Sequence, residues 1–449
     1  MKRIFLLLAF VSTLLLGACT SDSALPNPTG KGAIRAINAI KGAPEVGFLI
    51  EERSLGGIQY KESSTPVLYD DFSYNFNFEV AYPGETSFTR VATENLKIEP
   101  DADHILLLTG DINAPTVTVW NGTIRNFDDT ETVLEARFAH ANAALGDIDV
   151  YFEAPGTAPG TNPPAATLSF GQIADATDFA EGSYVMTVTA ANDLNTVYFT
   201  SWETTLLPRF AHVITIYEGD ENNTAPVFVR SMTSAGNPLN FVDVNYPAQA
   251  RFVHGASTLP MVDIYDDDML TSLVYAGLDF KGTTPYFDAP TETTVYYFTP
   301  ASSTATILFE DTVAAAPRGS YTETFAIGDT DAWLGLRTTP QRVSTSTTAK
   351  IAIFHAALNH DRFDAYVVDR DVLISEDDAP FLRNIAYGTP APIINIQEGD
   401  IDLYLTVSGE QTVIAGPFQF DAILGSSIEL LLVDTVDPAT AEIIDITTP

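Results

Sequence analysis

Cysteine is almost missing: there is one in 449 residues, Cys19. Beyond it no disulfide, thiol nucleophile or thiolate metal site is available, so the body must hold together by packing. Basic side chains are scarce as well, 22 Lys and Arg against 59 Asp and Glu, which leaves a formal charge of −37. A nucleic-acid backbone needs a cationic footprint, and this surface repels it, which excludes nucleic acid as a partner. No Gly-x-Ser-x-Gly, His-Glu-x-x-His, Walker loop or Gly-x-Gly-x-x-Gly string occurs, so the common short signatures of hydrolases, metalloproteases and nucleotide binders are absent. No stretch keeps a 3.6-residue period for three turns, which argues against a helical architecture. A share of 45% hydrophobic and 11% aromatic residues is nevertheless enough to bury a sizeable core.

The N-terminus has Lys2 and Arg3, then an apolar run from Ile4 to Leu16 that is too short to span a bilayer comfortably. Leu16-Gly17-Ala18-Cys19 resembles a bacterial lipobox, which implies cleavage between Ala18 and Cys19 and a diacylglyceryl thioether on Cys19. Residues 1–18 are then the signal peptide, and 19–32, with Pro26, Pro28, Gly30 and Gly32, a lipidated flexible tether. Thr20 rather than Asp after the cysteine directs the expectation to the outer membrane of a Gram-negative bacterium.

Past the tether the chain repeats itself. Ile34-Arg35-Ala36-Ile37-Asn38-Ala39, Ala136-Arg137-Phe138-Ala139-His140-Ala141, Ala250-Arg251-Phe252-Val253-His254-Gly255 and Ile351-Ala352-Ile353-Phe354-His355-Ala356 align. They stand roughly 100–115 residues apart, one domain's length. In phase follow Val46-Gly47-Phe48-Leu49, Ile148-Asp149-Val150-Tyr151, Val262-Asp263-Ile264-Tyr265 and Phe363-Asp364-Ala365-Tyr366. A turn recurs as Pro83-Gly84, Glu181-Gly182 and Glu398-Gly399, and a late apolar strand begins at His104, His212, Trp333 and Ile428.

Within a copy the hydrophobic period is two, as from Tyr184 to Thr189 and from Ile401 to Leu405, with Gly, Pro, Asn and Asp between strands. This predicts an all-β protein, a tandem array of four immunoglobulin-like antiparallel β-sandwich domains. The boundaries are 33–130 (the divergent copy), 131–246, 247–344 and 345–449, joined by short polar segments near Asp128-Asp129-Thr130, Asn245-Tyr246-Pro247 and Ser344-Thr345-Ser346.

The apolar-Arg-apolar-apolar-His-Ala string followed by an Asp-x-Tyr strand is similar to the bacterial and archaeal domain-of-unknown-function family 4397. Arg137, His140, Asp149 and Tyr151 match it, as do Arg251, His254, Asp263 and Tyr265. The fourth copy keeps His355, Asp364 and Tyr366 but has Ala352 for the Arg, and the first has Arg35 and Asn38 with Gly47 and Leu49. The resemblance implies a secreted or lipid-anchored tandem β-domain protein and no known activity.

Three copies keep both His and Asp, in the pairs His140 and Asp149, His254 and Asp263, and His355 and Asp364, while the first copy has lost both. That coupling suggests that the two side chains meet across adjacent strands, directly or through the turn between them. Such a pair orients a general base or a metal ligand. Three copies in line favour instead a buried hydrogen-bonded staple of about 1.5–3 kcal/mol. An obligatory Arg–Asp pair is disfavoured, because Asp364 accompanies Ala352 and Arg35 accompanies Gly47. His104, His212 and Trp333 read as one packing slot on the late strand. The weak calcium candidates are Asp128 and Asp129 at a joint and the Asp266-Asp267-Asp268 loop; with Glu376-Asp377-Asp378 they read first as solvated loops. Trp120, Trp202 and Trp333 read as core or joint residues, with a sugar platform as the other use.

The expectation is therefore a non-enzymatic cell-envelope lipoprotein without a cofactor, held to the membrane by its lipid anchor and serving as a surface stalk or binding array for an unidentified protein or glycan. Two further classes stay open. One is a secreted hydrolase or metal-dependent enzyme using the third copy and its Asp266-Asp267-Asp268 loop, and the other a carbohydrate-binding or calcium-stiffened adhesion module.

Overall fold

The period of two becomes strand throughout, and among the described residues of the computed structural model there is no helix. The structure describes residues 27–447 apart from 84, 234, 235, 237 and 341. Ala18, Cys19 and the turn residue Gly84 lie outside that set. The described end of the expected tether is already strand, with Lys31 and Gly32 paired to Asp70 and Tyr69.

Each copy consists of two facing sheets, and every sheet draws its strands from one copy. The first sheet is built on the opening strand: Lys31–Asn38, Val133–His140, Gln249–His254 or Ala349–His355. Beside it lies the late strand, Ala102–Asp111, Ala211–Glu218, Tyr321–Asp329 or Ser427–Asp434. This pairing is parallel in all four copies, where an antiparallel sandwich was expected. The physical reason is the long connection: the whole second sheet is laid down between the two strands, so the chain can return beside its start in the same direction. All other pairings are antiparallel among those assigned.

The second sheet carries the Asp-x-Tyr strand, Val46–Ile50, Ile148–Glu153, Val262–Tyr265 or Arg362–Asp369. Inward side chains of both sheets fill each core. Ile34 and Ala36 meet Phe48, Phe76 and Phe78, and Ile351 and Ile353 meet Leu403 and Leu430.

The opening and late strands are buried on both faces, unlike a sandwich strand that alternates between core and water. From Gly32 to Asn38 every residue is buried. The reason is a second layer of packing. Ile37, Ile105, Leu107 and Trp120 of copy one lie against Ala139, Val213 and Tyr217 of copy two. Val253, Phe325 and Ile327 of copy three lie against Phe354, Leu431 and Val433 of copy four, with the Phe325 and Phe354 rings stacked at 3.8 Å. Each fully buried side chain of this kind is worth ~1.5–3 kcal/mol.

The copies are thus two sister pairs, and the pairs also touch. Thr224 N donates to Gly319 O between copies two and three. Ser346 N, in the segment joining copies three and four, donates to Gly42 O of copy one at 2.7 Å. Gln397 of copy four donates to the Pro83 carbonyl of copy one. The chain doubles back rather than running out as beads in a row.

Candidate functional site

The opening strand ends at the motif histidine, whose ring turns into the loop leading to the second sheet. His140 Nε2 donates to the Gly146 carbonyl at 3.0 Å, and its Nδ1 accepts from Asn142 N at 3.3 Å. His254 Nε2 donates to the Pro260 carbonyl at 3.2 Å. His355 is buried against the rings of Phe363 and Tyr387. Burial holds all three rings neutral by pushing their pKa down, to about 4 for His355. In copy one Asn38 takes the same place: its Oδ1 accepts from Ile40 N at 3.1 Å and its Nδ2 donates to the Ile58 carbonyl at 3.2 Å. The amide thus matches His140 in accepting from the backbone N–H two residues on, while its donor goes to the Ile58 carbonyl instead of one in the following loop.

The motif aspartates make other bonds. Asp149 accepts from Thr167 Oγ1 at 2.5 Å and Asn192 N at 2.8 Å. Asp263 accepts from Gly277 N and Ser302 N, both at 2.7 Å. Asp364 accepts from Asn384 N, Ser408 Oγ and Gly409 N. Each carboxylate ties the edge strand to the end of the hairpin on the second sheet. His and Asp therefore do not bond to one another. The direct contact is absent, because they bracket the same loop from opposite sheets; on the histidine side the other arm of the expectation, a bond to the turn between them, is made by His140 to Gly146 and by His254 to Pro260.

The motif arginine faces the sister copy. Arg137 Nη2 donates to Thr123 O of copy one at 3.3 Å, and a Cβ on Gly122 would fall 1.6 Å from its Nη1, so the bare backbone there makes room for the guanidinium. Arg251 is 2% exposed. Its Nε donates to Glu323 Oε1 at 2.7 Å, its Nη1 to Ile446 O at 2.9 Å and its Nη2 to Glu429 Oε2 at 2.9 Å. Arg342, from the segment joining copies three and four, lies 3.5 Å from both Glu323 and Glu429. Desolvation, with the Glu323 charge second, raises the Glu429 carboxyl to about 7 against the pull of the two arginines. Sequence reasoning missed both glutamates. The available signal was their register: Glu323 pairs with Arg251, and Glu429 with Ala352.

That register corrects the late-strand slot. His104, His212 and Thr322 stand at equivalent places, paired with Ile34, Ala136 and Ala250. Trp333 lies on the following strand, Ala332–Thr338, and its Nε1 donates to Thr258 Oγ1. Trp120 is buried in the interface between copies one and two and donates to Gly171 O at 2.9 Å. Trp202 is part-exposed under the Arg318 guanidinium at 3.8 Å. The three indoles do not share a surface.

The acidic strings shape loops. Asp267 Oδ1 accepts from Thr271 N and Ser272 N. Asp128 Oδ1 accepts from Thr130 N and Oγ1, and Asp129 lies 3.8 Å from Arg209. No hydrogen bond or ion pair is assigned to Asp266 or Asp268 as a side-chain acceptor among the described residues. No group of three or more His, Cys, Asp or Glu side chains among the described residues is placed to hold a metal ion.

Where copies two, three and four meet, a cleft of about 540 Å³ opens, lined by Tyr246 of copy two, Tyr286, Tyr321 and Arg342, and by Ser427 and Glu429 of copy four. The Tyr286 and Tyr321 rings meet edge to face at 5.0 Å, and the Arg342 guanidinium lies 4.5 and 5.1 Å from their centroids. A second cavity, of about 650 Å³, lies between copies one, two and four beside Tyr60, Tyr82 and Phe88.

Fold and site define a class: an all-β protein of repeated small sandwich units. A family model described as Domain of unknown function (DUF4397) matches residues 248–366, which is the third copy with the opening strand and the start of the Asp-x-Tyr strand of the fourth. No curated protein matches the chain. Among solved structures the Bacillus anthracis TIE protein is similar at 11% identity, over 91% of this chain and 69% of its own, with a TM-score of 0.16, a value too low to argue from. No helix among the described residues is long and apolar enough to cross a membrane.

Proposed function

We propose that the chain is a non-enzymatic cell-envelope lipoprotein, lipidated at Cys19 and held on the outer membrane of a Gram-negative bacterium, whose four sandwich units act together as a binding body. The observation that carries this reading is the employment of the repeat's reactive side chains. The His140 and His254 rings bond loop carbonyls, Asp149, Asp263 and Asp364 bond hairpin ends, and Arg251 and Glu429 join sister copies. A body built this way offers surface and clefts rather than a poised nucleophile or base. The lipobox-like string before Cys19 supports the membrane location. Contacts from copy one to the segment joining copies three and four favour a short, thick body over an extended stalk.

Cys19→Ser tests the anchor. The unsubstituted chain is expected to take up radiolabelled acyl chains and sediment with membranes, and the variant to do neither; acyl label on the variant ends the lipoprotein reading. A hydrolase screen tests the second half. Turnover by the purified chain that Asp267→Asn abolishes would return the third-copy enzyme in its place.

A further inference from the structure

We propose that the cleft between copies two, three and four binds a neutral oligosaccharide, with a sugar ring laid on the exposed side of Tyr246 and its hydroxyls bonded to the opposite wall. The inference rests on the binding-body reading and names its ligand class.

Size and shape come first. About 540 Å³ lies within the range of ~300–1,000 Å³ usual for small-molecule sites, and the walls come from three copies, so the cleft exists only in the assembled chain. Rigidity follows from the far wall. Tyr286 donates from its hydroxyl to Glu323 Oε1 at 2.8 Å, packs edge to face with Tyr321, and is covered by the guanidiniums of Arg251 at 5.1 Å and Arg342 at 4.5 Å. Nothing in that wall needs ordering when a ligand arrives, which lowers the entropy cost of binding.

Charge then selects the class. An anionic ligand meets a chain of net charge −37 and the Glu221 carboxylate on the rim, which is held by Ser344. Arg342, the cation facing the cleft, already lies between Glu323 and Glu429. A cationic ligand would have to compete for those carboxylates with Arg342 and the buried Arg251. Ion pairing within the wall thus leaves little for a charged ligand of either sign. What the lining offers is aromatic face and neutral polar chemistry: Tyr246 and Tyr321, the Gln249 amide, whose Nε2 already donates to Asp288, and Thr447, whose Oγ1 accepts from Glu429 N. Aromatic rings with amide and hydroxyl groups suit a polyhydroxylated ring, whose C–H face is apolar and whose edge is a row of donors and acceptors. Tyr246 is the side chain of choice for stacking, being half-buried at the tip of the segment joining copies two and three and outside the Arg251 network.

The test is calorimetric titration of the purified full chain with maltotriose, cellotriose and tri-N-acetylchitotriose, with trigalacturonate and trilysine as charged probes. At least one neutral trisaccharide is expected to bind. Tyr246→Ala is expected to weaken it by roughly tenfold, the worth of one aromatic contact, and Tyr246→Phe to retain it. Phe88→Ala, in the other cavity, is expected to leave it unchanged. Far-ultraviolet circular dichroism establishes that Tyr246→Ala is folded; if it is not, Tyr246→Leu takes its place, with the same loss expected. The proposal is overturned if no neutral trisaccharide binds at millimolar concentration, if binding survives loss of the Tyr246 ring in a folded variant, or if only trigalacturonate or trilysine binds. None of these results depends on acylation, so failure here is distinguishable from failure of the Cys19→Ser experiment.

Discussion

Arg251 Nη2 of the third copy lies 2.9 Å from Glu429 Oε2 of the fourth, beside the position where the fourth copy's own opening strand carries Ala352. The arginine missing from that copy's motif is answered from outside it, by Arg251 across the interface and Arg342 from the connecting segment. Arg251→Ala leaves Glu323 and Glu429 buried with one cation between them. It is expected to cost about 3–5 kcal/mol in urea denaturation. Combining Arg251→Met with Glu429→Gln should recover most of that loss, because the double variant buries less uncompensated charge. A single-variant loss under ~1 kcal/mol, the scale of an exposed pair, would contradict the buried network.

The sister interface of copies three and four leaves no room for a side chain at Gly255, where a Cβ would fall 2.8 Å from the Ala356 Cβ. Gly255→Ala is expected to lower stability by about 1–3 kcal/mol through overpacking. The exchanged pair, Gly255→Ala with Ala356→Gly, restores the space and should melt close to the parent. Additive losses in the double variant would show that the methyl groups do not compete.

His254 and Asp263 are expected to behave independently. His254→Ala removes a fully buried ring and its bond to Pro260 O, while Asp263→Ala frees Gly277 N and Ser302 N. Each should cost about 1–3 kcal/mol. The coupling energy of the double-mutant cycle should stay under ~0.5 kcal/mol. A larger coupling would revive the direct pair.

Acid should weaken the fold through the buried rings. His355 has its pKa lowered from 6.5 to about 4, and His212 likewise, in both by desolvation. Between those values the unfolded chain binds protons that the folded chain refuses, so stability falls as the pH drops from 6.5 towards 4. The loss per ring is on the order of 2–3 kcal/mol. His355→Asn, which copies the Asn38 solution, should remove one ring's share of the slope. Urea midpoints at pH 7.5 and pH 5 check it, and an unchanged difference between them in the variant would count against a buried neutral ring.

The strands and the fourfold repeat were legible because burial in a sheet imprints a period of two, clear from Tyr184 to Thr189 and from Ile401 to Leu405. Sister packing was not, although the unbroken apolar character from Ile105 to Leu108 was its trace: periodicity reports that a side chain is buried, not what covers it. The third late strand was misplaced for a related reason. Thr322, Glu323 and Thr324 are all buried, so a search for apolar runs passes over Tyr321–Asp329 and settles on Trp333. Among them Glu323 holds Arg251 and, through the Tyr286 hydroxyl, braces the cleft wall. The joint loss of His and Asp in the first copy left open a direct contact or one through the turn, because loss together fits two side chains that meet and equally two that brace one loop.

Face-to-face packing of opening and late strands has a consequence for how such a chain can grow or be shortened. A lone unit would leave residues such as Val253, Phe325 and Ile327 bare, an apolar patch of the sort that draws chains into aggregates. The stable increment of length is therefore a couple of units, not one. Deleting copies three and four together removes two faces that cover each other, whereas deleting copy four alone strands one of them. Gene duplication within this architecture would be tolerated in even numbers.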